Sequence, residues 1–202
     1  MSIQIHHGDI FFTTDKDTPV SCTDSYLVVK DGLVEGIYDK LPAQYENAPV
    51  IHHGRGVIIP AFSDLHVHAS QYVERGLGMD CLLYDWLNDY TFPQEAKFAD
   101  LDYARDVYDA FVDDLIAQGT FHVSAFATIH REATNYLFDR LQQKGLYAYV
   151  GKVNMDQGAP DYLCEDTEES LAETEKYLQE HVGADKVKPI ITPDLHPPAA
   201  KS

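Results

Sequence analysis

Residues 57–68 read Val-Ile-Ile-Pro-Ala-Phe-Ser-Asp-Leu-His-Val-His, an apolar run that leads directly into two histidines. A short apolar run followed along the chain by a helical period predicts a buried strand of a parallel sheet. His66 and His68 lie two residues apart at the end of this strand, so their side chains point to the same face. This spacing allows both imidazoles to bind one metal ion, and it equally fits two histidines that only form hydrogen bonds.

The chain beyond residue 100 repeats the strand-and-helix pattern. Each helical period ends at a glycine, and the last one opens with Asp166 and Glu169, which are spaced as in a capping box. The predicted elements are, in order, a helix from Asp100 to Gly119, a strand over 121–127, a helix over 132–144, a strand over 146–153, a helix over 166–183 and a strand over 187–192.

Four parallel strands joined through helices predict an α/β fold, namely the first half of a (β/α)₈ barrel with about four β/α units. Barrel enzymes build their sites at the C-terminal ends of the strands, and this position favours metal binding by His66 and His68 over a purely structural role. The connection over 69–99 is far longer than the usual length of about 2–6 residues. We expect it to carry function, because long connections commonly do.

The first part of the chain is predicted to be a small β domain. Residues 25–29 and 33–38 resemble strands, and they flank Lys30-Asp31-Gly32, a turn sequence typical of a hairpin. The change of pattern near residue 57 predicts a β domain over 1–56 and a partial barrel over 57–193.

Composition excludes several classes of function. The formal net charge is −18, which repels phosphate backbones and anionic lipids, so we expect neither nucleic-acid binding nor membrane binding. We expect a cytoplasmic protein, because there is no long apolar stretch and the first residues do not resemble a secretory signal. Three widely spaced cysteines argue against a disulfide framework. The expected partner is a small neutral or cationic molecule.

Three further sets of residues have weaker signals. Asp64 shares the strand face of the two histidines and is a candidate to orient one of them. His130 follows the predicted strand over 121–127 and is a candidate pocket residue. Adjacent histidines, as in His6-His7 and His52-His53, point to opposite faces of a strand and are not expected to chelate together.

Several stretches resemble a known family. Residues 59–69 are similar to the first-strand signature of the amidohydrolase superfamily, with Ala61 in place of the usual glycine. Within that superfamily the chain resembles the guanine deaminase family over roughly residues 8–193. The similar blocks are, in chain order, residues 68–72, 82–87, 90–95, 126–130, 150–156, 167–170 and 187–193.

The resemblance implies hydrolysis of guanine to xanthine and ammonia with one zinc ion per subunit. It identifies His66 and His68 as metal ligands, and Gln71 as a purine contact with Ala69 and Ser70 beside it. Trp86 is expected to line the pocket. The family's acid/base residues come from strands after the fourth, so no catalytic residue of that kind is expected in this chain. The resemblance also implies a homodimer, and a β-sandwich domain of which residues 1–56 form the N-terminal part.

The last residues depart from the family. Asp194 stands where the family has a purine-binding arginine, and a one-base shift of the reading frame over 194–202 permits codons for the family's own segment. We therefore expect an out-of-frame tail over 194–202 and an inactive N-terminal fragment. Two alternatives stay open, namely an aminohydrolase acting on another purine or a triazine, and a non-catalytic half-barrel that serves in binding or assembly.

Overall fold

The computed structural model describes residues 2–194, and the chain divides into two compact units, one up to Pro60 and one from Ala61 onward. The out-of-frame interpretation of the tail concerns residues that, apart from Asp194, lie outside the described part. Within residues 2–194, no helix combines the length and the apolar character needed to cross a lipid bilayer.

The first unit is a four-stranded sheet with the strand order β3-β2-β1-β4. Its strands are β1 (Ile3–Thr13), β2 (Pro19–Lys30), β3 (Leu33–Tyr38) and β4 (Val50–Ile58), with a short 3₁₀ helix at Ala43–Tyr45. The sheet is mixed, because β1 pairs antiparallel with β2 and parallel with β4. Within residues 2–60 this is the single sheet, so the described residues do not include a second layer of the predicted sandwich.

The hairpin predicted around residues 30–32 is confirmed. Lys30 pairs with Leu33, and the two residues between them, Asp31 and Gly32, have φ angles of 50° and 81°. Positive φ at both central positions is the feature of a type I′ turn, whose twist matches that of the strands it joins.

The second unit contains the predicted parallel sheet in the order β5-β6-β7-β8. Its strands are β5 (Phe62–His68), β6 (Thr120–Phe126), β7 (Tyr147–Asn154) and β8 (Val187–Pro193). All three neighbouring pairs of strands are parallel. The helix α3 (Leu101–Ala117) connects β5 to β6, α4 (Arg131–Lys144) connects β6 to β7, and α5 (Thr167–Glu180) connects β7 to β8. This arrangement is the four-strand half of a (β/α)₈ barrel that the sequence predicts.

The start of the first barrel strand was wrongly predicted. Val57 and Ile58 belong to β4, where they pair with Asp9 and Ile10 of β1, and β5 begins at Phe62. Pro60 lacks the N–H group that a strand donates to its neighbour, which explains why the apolar run is divided at this point. The boundary between the two units therefore falls after Pro60.

Local signals set the starts of α3 and α5 and the end of α4 as predicted, whereas α5 ends at Glu180, three residues before the predicted Gly183. The Asp100 carboxylate accepts a hydrogen bond from the N–H of Asp102 at 2.9 Å, and Asp166 accepts one from the N–H of Glu169 at 3.1 Å. Gly145 follows α4 with a φ of 81°, in the left-handed region that favours glycine. A Cβ atom at this position would meet no neighbouring atom, so glycine is favoured by the backbone conformation and not by a lack of space.

The main core lies between one face of the parallel sheet and the three long helices. Tyr177 of α5 is fully buried there, and its hydroxyl donates a hydrogen bond of 2.7 Å to the carbonyl oxygen of Val150 in β7. The sheet contributes small and β-branched side chains to this core, and the helices contribute larger ones, namely Val123, Ala125, Ala148, Val150, Tyr108, Phe111, Leu137, Phe138 and Tyr177.

The long connection after β5 folds as a series of short helical turns. These are a 3₁₀ helix at Ala69–Glu74, the helix α1 at Leu83–Trp86, a π-helical turn at Leu87–Thr91, the helix α2 at Phe92–Glu95 and a 3₁₀ helix at Ala96–Ala99. Such π-helical turns are rare and occur frequently at functional sites. The connection leaves the C-terminal end of β5, which carries the two predicted metal ligands.

Candidate functional site

The structure brings His66 and His68 together at the end of β5. Their ring centroids are 5.3 Å apart at an interplanar angle of 82°. Both rings also contact Phe126 of the neighbouring strand β6, His68 by stacking at 4.6 Å and His66 edge-on at 5.2 Å. The strand periodicity places the two imidazoles on one face, and the Phe126 ring limits how far each can turn.

Two imidazoles fit the donor chemistry of zinc but fall short of its usual number of ligands. Catalytic zinc sites have three protein ligands and one open position. Within residues 2–194, the structure holds no group of three or more His, Cys, Asp or Glu side chains placed to share a metal ion. Within the described residues, His66 and His68 are therefore two candidate ligands, one fewer than such a site uses.

Asp64 stabilises the strand segment that carries the histidines. Its carboxylate accepts a hydrogen bond of 3.2 Å from the backbone N–H of His66. The pairing of β5 with β6 is irregular between Asp64 and Val67. Asp64 nevertheless lines the same cavity as His66 and His68.

His66, His68, Gln71 and Trp86 line one cavity of about 610 Å³. Trp86 also packs against an apolar cluster that includes Leu87 and Phe92, so its ring forms part of a stable wall. Gly78 lies so close that a Cβ atom there would be 2.7 Å from the Trp86 ring, and its φ of 62° also favours glycine. The absence of a side chain at Gly78 therefore leaves the space that the Trp86 ring occupies beside the cavity.

The two other predicted substrate contacts are placed differently. Ala69 is fully buried in the main core. Ser70 is also buried, and its hydroxyl donates a hydrogen bond of 2.7 Å to the carboxylate of Glu95. The structure therefore brings Gln71 and Trp86 to the cavity with the histidines, and it places the side chains of Ala69 and Ser70 in the supporting structure behind it.

Two buried carboxyl groups were missed by sequence reasoning. Glu74 and Glu95 are only 3% and 5% exposed. Thr91 donates a hydrogen bond of 3.1 Å to Glu74, and one carboxyl oxygen of each glutamate has no hydrogen-bond partner among the described residues. A signal was present, because Glu95 lies three residues after Phe92 and three before Phe98. It therefore occupies an apolar stripe.

Burial raises the pKa of both carboxyl groups. Desolvation is the main cause that raises the pKa of Glu95 to about 7, with smaller contributions from the negative charges of Asp194 and Glu74, whereas the hydrogen bond from Ser70 opposes the rise. Burial likewise raises the pKa of Glu74. Glu95 therefore titrates near neutral pH, and it links α2 to the 3₁₀ helix that follows His66 and His68.

A buried ion pair lies at the C-terminal end of β7. Lys152 is 1% exposed, and its Nζ atom donates hydrogen bonds of 2.6 Å to Glu165 and 2.9 Å to the carbonyl oxygen of Val153. The second oxygen of Glu165 accepts the N–H of Met155 at 2.9 Å. This pair attaches the segment before α5 to the end of the strand. Burial lowers the pKa of Lys152, and its bond to Glu165 opposes that shift.

The structure does not bring His130 to the cavity of His66 and His68. It lines a separate, smaller cavity of about 230 Å³ together with Arg131 and Glu173. Burial lowers the pKa of His130, which favours a neutral ring, and its Nε2 atom has no hydrogen-bond partner among the described residues.

Comparison with known proteins places this site in a family context. The family model described as the amidohydrolase family matches residues 57–201. The guanine deaminase of Dictyostelium discoideum is 38% identical over 185 residues, which make up 91% of this chain and 37% of that protein. The human guanine deaminase is 42% identical over 139 residues, or 67% of this chain and 30% of that protein.

A solved structure has the same arrangement of strands and helices. The crystal structure of a guanine deaminase from C. acetobutylicum, with guanine bound in its active site, matches with a TM-score of 0.92 and 44% identity. The match covers 98% of this chain and 48% of that one. The chain thus spans between about one third and one half of the length of the relatives that it matches.

Proposed function

The chain belongs to the amidohydrolase family, and from that premise we propose that it contributes part of the active site of a guanine deaminase. The proposed reaction is hydrolysis of guanine to xanthine and ammonia. The observation that supports it best is that His66, His68, Gln71 and Trp86 line one cavity at the C-terminal end of β5. The same face of the strands carries the sites of barrel enzymes.

The chemistry of the cavity fits a neutral purine. The amide of Gln71 both donates and accepts hydrogen bonds, so it can match the mixed donors and acceptors on the edge of guanine. A polar side chain of this kind discriminates between purines more strongly than an apolar wall does. Trp86 offers a flat apolar surface for the ring system. The net charge of −18 also favours a neutral small molecule over nucleic acid or an anionic membrane.

We propose that His66 and His68 are two of the ligands of one zinc ion. The chemistry that such an ion supplies is activation of a water molecule for attack on the carbon that bears the amine. His66 and His68 would hold the ion through neutral imidazoles, and Phe126 keeps their rings in place. Glu95 and Ser70 fix the segment that positions Gln71. The remaining ligands and the groups that transfer protons are those that the family takes from later strands.

The same resemblance supports a homodimer as the assembly of the whole enzyme. Light scattering on the full-length enzyme at working concentrations should give the mass of two chains, and this measurement tests this part of the proposal.

Guanine binding to this chain tests the site directly. Trp86 is the only tryptophan of the chain, so a change of its fluorescence reports on the cavity alone. We expect guanine to change the emission more strongly than adenine at equal concentration. Gln71→Ala should weaken the guanine response about tenfold or more, because the site loses its paired donor and acceptor.

Gln143→Ala is the matched control, because Gln143 is an exposed glutamine on α4. It should leave the guanine titration unchanged. Equal responses to guanine and adenine, or equal weakening by Gln71→Ala and Gln143→Ala, would contradict the proposal.

A further inference from the structure

Four histidines, none of them His66 or His68, meet in the sheet of the first unit. The parallel pairing of β1 with β4 sets His7 opposite His52 and brings His6 near His53. The Nδ1 atoms of His7 and His52 are 3.2 Å apart, and Nδ1 of His6 is 3.0 Å from Nε2 of His53. Adjacent residues of a strand point to opposite faces, so each face of the sheet carries one pair formed across the two strands.

In the pair of His7 and His52, the His7 ring contacts a carboxylate and an aromatic ring. Nε2 of His7 lies 3.2 Å from a carboxylate oxygen of Asp24, and the His7 ring packs on Tyr26 with centroids 4.3 Å apart. Asp24 has a φ of 51°, which is uncommon for a residue other than glycine, and its N–H donates to Asp9 at 3.0 Å. This backbone conformation places the carboxylate beside His7, although the Asp24 side chain is 91% exposed.

The contact with Asp24 determines which nitrogen of His7 is available. A neutral imidazole carries one proton, and a carboxylate next to Nε2 favours the proton at that atom. The lone pair then lies on Nδ1, which faces His52. Histidine ligands of metal ions commonly donate their other ring N–H to a carboxylate in this way.

We propose that His7 and His52 form a binding site for an exchangeable divalent transition-metal ion, with Asp24 as the carboxylate that orients His7. Two nitrogens bound to one ion at about 2.0–2.1 Å in tetrahedral geometry are roughly 3.3 Å apart, and the observed separation is 3.2 Å. Imidazole suits zinc, copper, iron and nickel, and copper(II) binds most tightly among the divalent ions.

The surroundings indicate an open site. The His7 side chain is 19% exposed, whereas His52 is an exposed residue. Two protein ligands leave the remaining positions of the ion to water, which suits an exchangeable ion rather than a structural one. The pair of His6 and His53 lies on the opposite face, and the described residues provide no ion pair between it and a carboxylate, so it serves as the internal comparison.

Titration with copper(II) at pH 7.5 tests this inference on the full chain. The background variant carries His66→Ala and His68→Ala, which removes the other histidine pair. We expect saturable binding of copper by calorimetry, with nitrogen hyperfine structure from two imidazoles in the electron paramagnetic resonance spectrum. Adding His52→Ala should weaken binding at least about tenfold and leave one imidazole nitrogen, and Asp24→Asn should weaken it about tenfold.

His53→Ala is the matched control, since it removes the neighbouring exposed histidine of the same strand. It should leave the affinity of the His7 site within about twofold while circular dichroism shows both variants folded. The inference is overturned if the background variant does not bind copper saturably, or if His53→Ala weakens binding as much as His52→Ala. A purely hydrogen-bonded histidine pair would give the first of these results.

Discussion

Two strand ends of the parallel sheet each hold an acidic side chain that is largely removed from water, but in different ways. After β7, Glu165 forms an ion pair with Lys152 and also accepts the N–H of Met155. After β5, Glu95 receives one hydrogen bond from the hydroxyl of Ser70, and no cation pairs with it among residues 2–194. The first carboxylate has a compensating charge, whereas the second depends on protonation to avoid an uncompensated one.

The difference shows how each connection is stabilised. An ion pair that is excluded from water is rigid, and loss of either partner leaves a buried charge. A carboxyl group with a raised pKa is instead tolerated when neutral and becomes unfavourable when ionised. The segment next to the predicted metal ligands therefore has a pH-dependent support, and the segment before α5 has a support that requires its lysine.

The largest effect is expected from Lys152→Met. This change leaves Glu165 partly buried without its cation, and we expect the free energy of unfolding to fall by about 3–5 kcal/mol. Urea denaturation at pH 7 measures it. Lys188→Met is the matched control, because Lys188 is an exposed lysine on β8 and should change stability by less than about 0.5 kcal/mol. Similar losses in the two variants would show that the ion pair contributes little.

The next effect concerns the pH dependence of Glu95. Its pKa is raised from 4.5 to about 7 in the folded protein, so between these values the folded state holds a proton that the unfolded state has lost. Stability contributed by this group is therefore present at low pH and falls as the pH rises, by about 3 kcal/mol once the pH exceeds 7.

Glu95→Gln should remove that dependence. We expect the variant to be more stable than the parent chain at pH 8 and close to it at pH 5, as measured by urea denaturation at both values. Glu132→Gln, at an exposed position of α4, should follow the parent chain. If the difference in stability between the parent chain and Glu95→Gln were the same at both pH values, Glu95 would already be ionised in the folded protein at pH 5.

The smallest expected effects are shifts in the pH midpoint caused by changing two neighbours of Glu95. Asp194→Asn removes a negative charge that raises the pKa of Glu95, so the midpoint of the pH-dependent loss of stability should move to lower pH. Ser70→Ala removes a hydrogen bond that lowers that pKa, so the midpoint should move to higher pH. Shifts in the same direction in both variants would contradict the assignment of the titration to Glu95.

Sequence patterns were sufficient for most of the architecture. The hairpin turn at Asp31 and Gly32, the capping residue Asp166 and the C-terminal glycine Gly145 all occupy their predicted places. These features depend on backbone conformations and contacts within a few residues, so they are visible in a single sequence. The division of the run over 57–62 between two sheets was missed, because an apolar run does not indicate which neighbour it pairs with.

The candidate site was predictable in part for the same reason. His66 and His68 share a face because strand alternation is local, and Gln71 and Trp86 reach their cavity. Glu95 was missed although its position on an apolar stripe was visible, since the effect of burial depends on which groups surround it. Its bond to Ser70 spans 25 residues of chain.

Taken by itself, the sequence determined the order of strands and helices, the parallel sheet and the spacing of the first histidine pair. The tertiary structure alone decided that His7 meets His52 across 45 residues and that Lys152 meets Glu165. It also decided that Glu95 loses its water and gains a pKa near 7. The physical reason is that periodicity follows from the geometry of the local backbone, whereas pairing between strands and desolvation depend on residues that the fold brings together from distant parts of the chain.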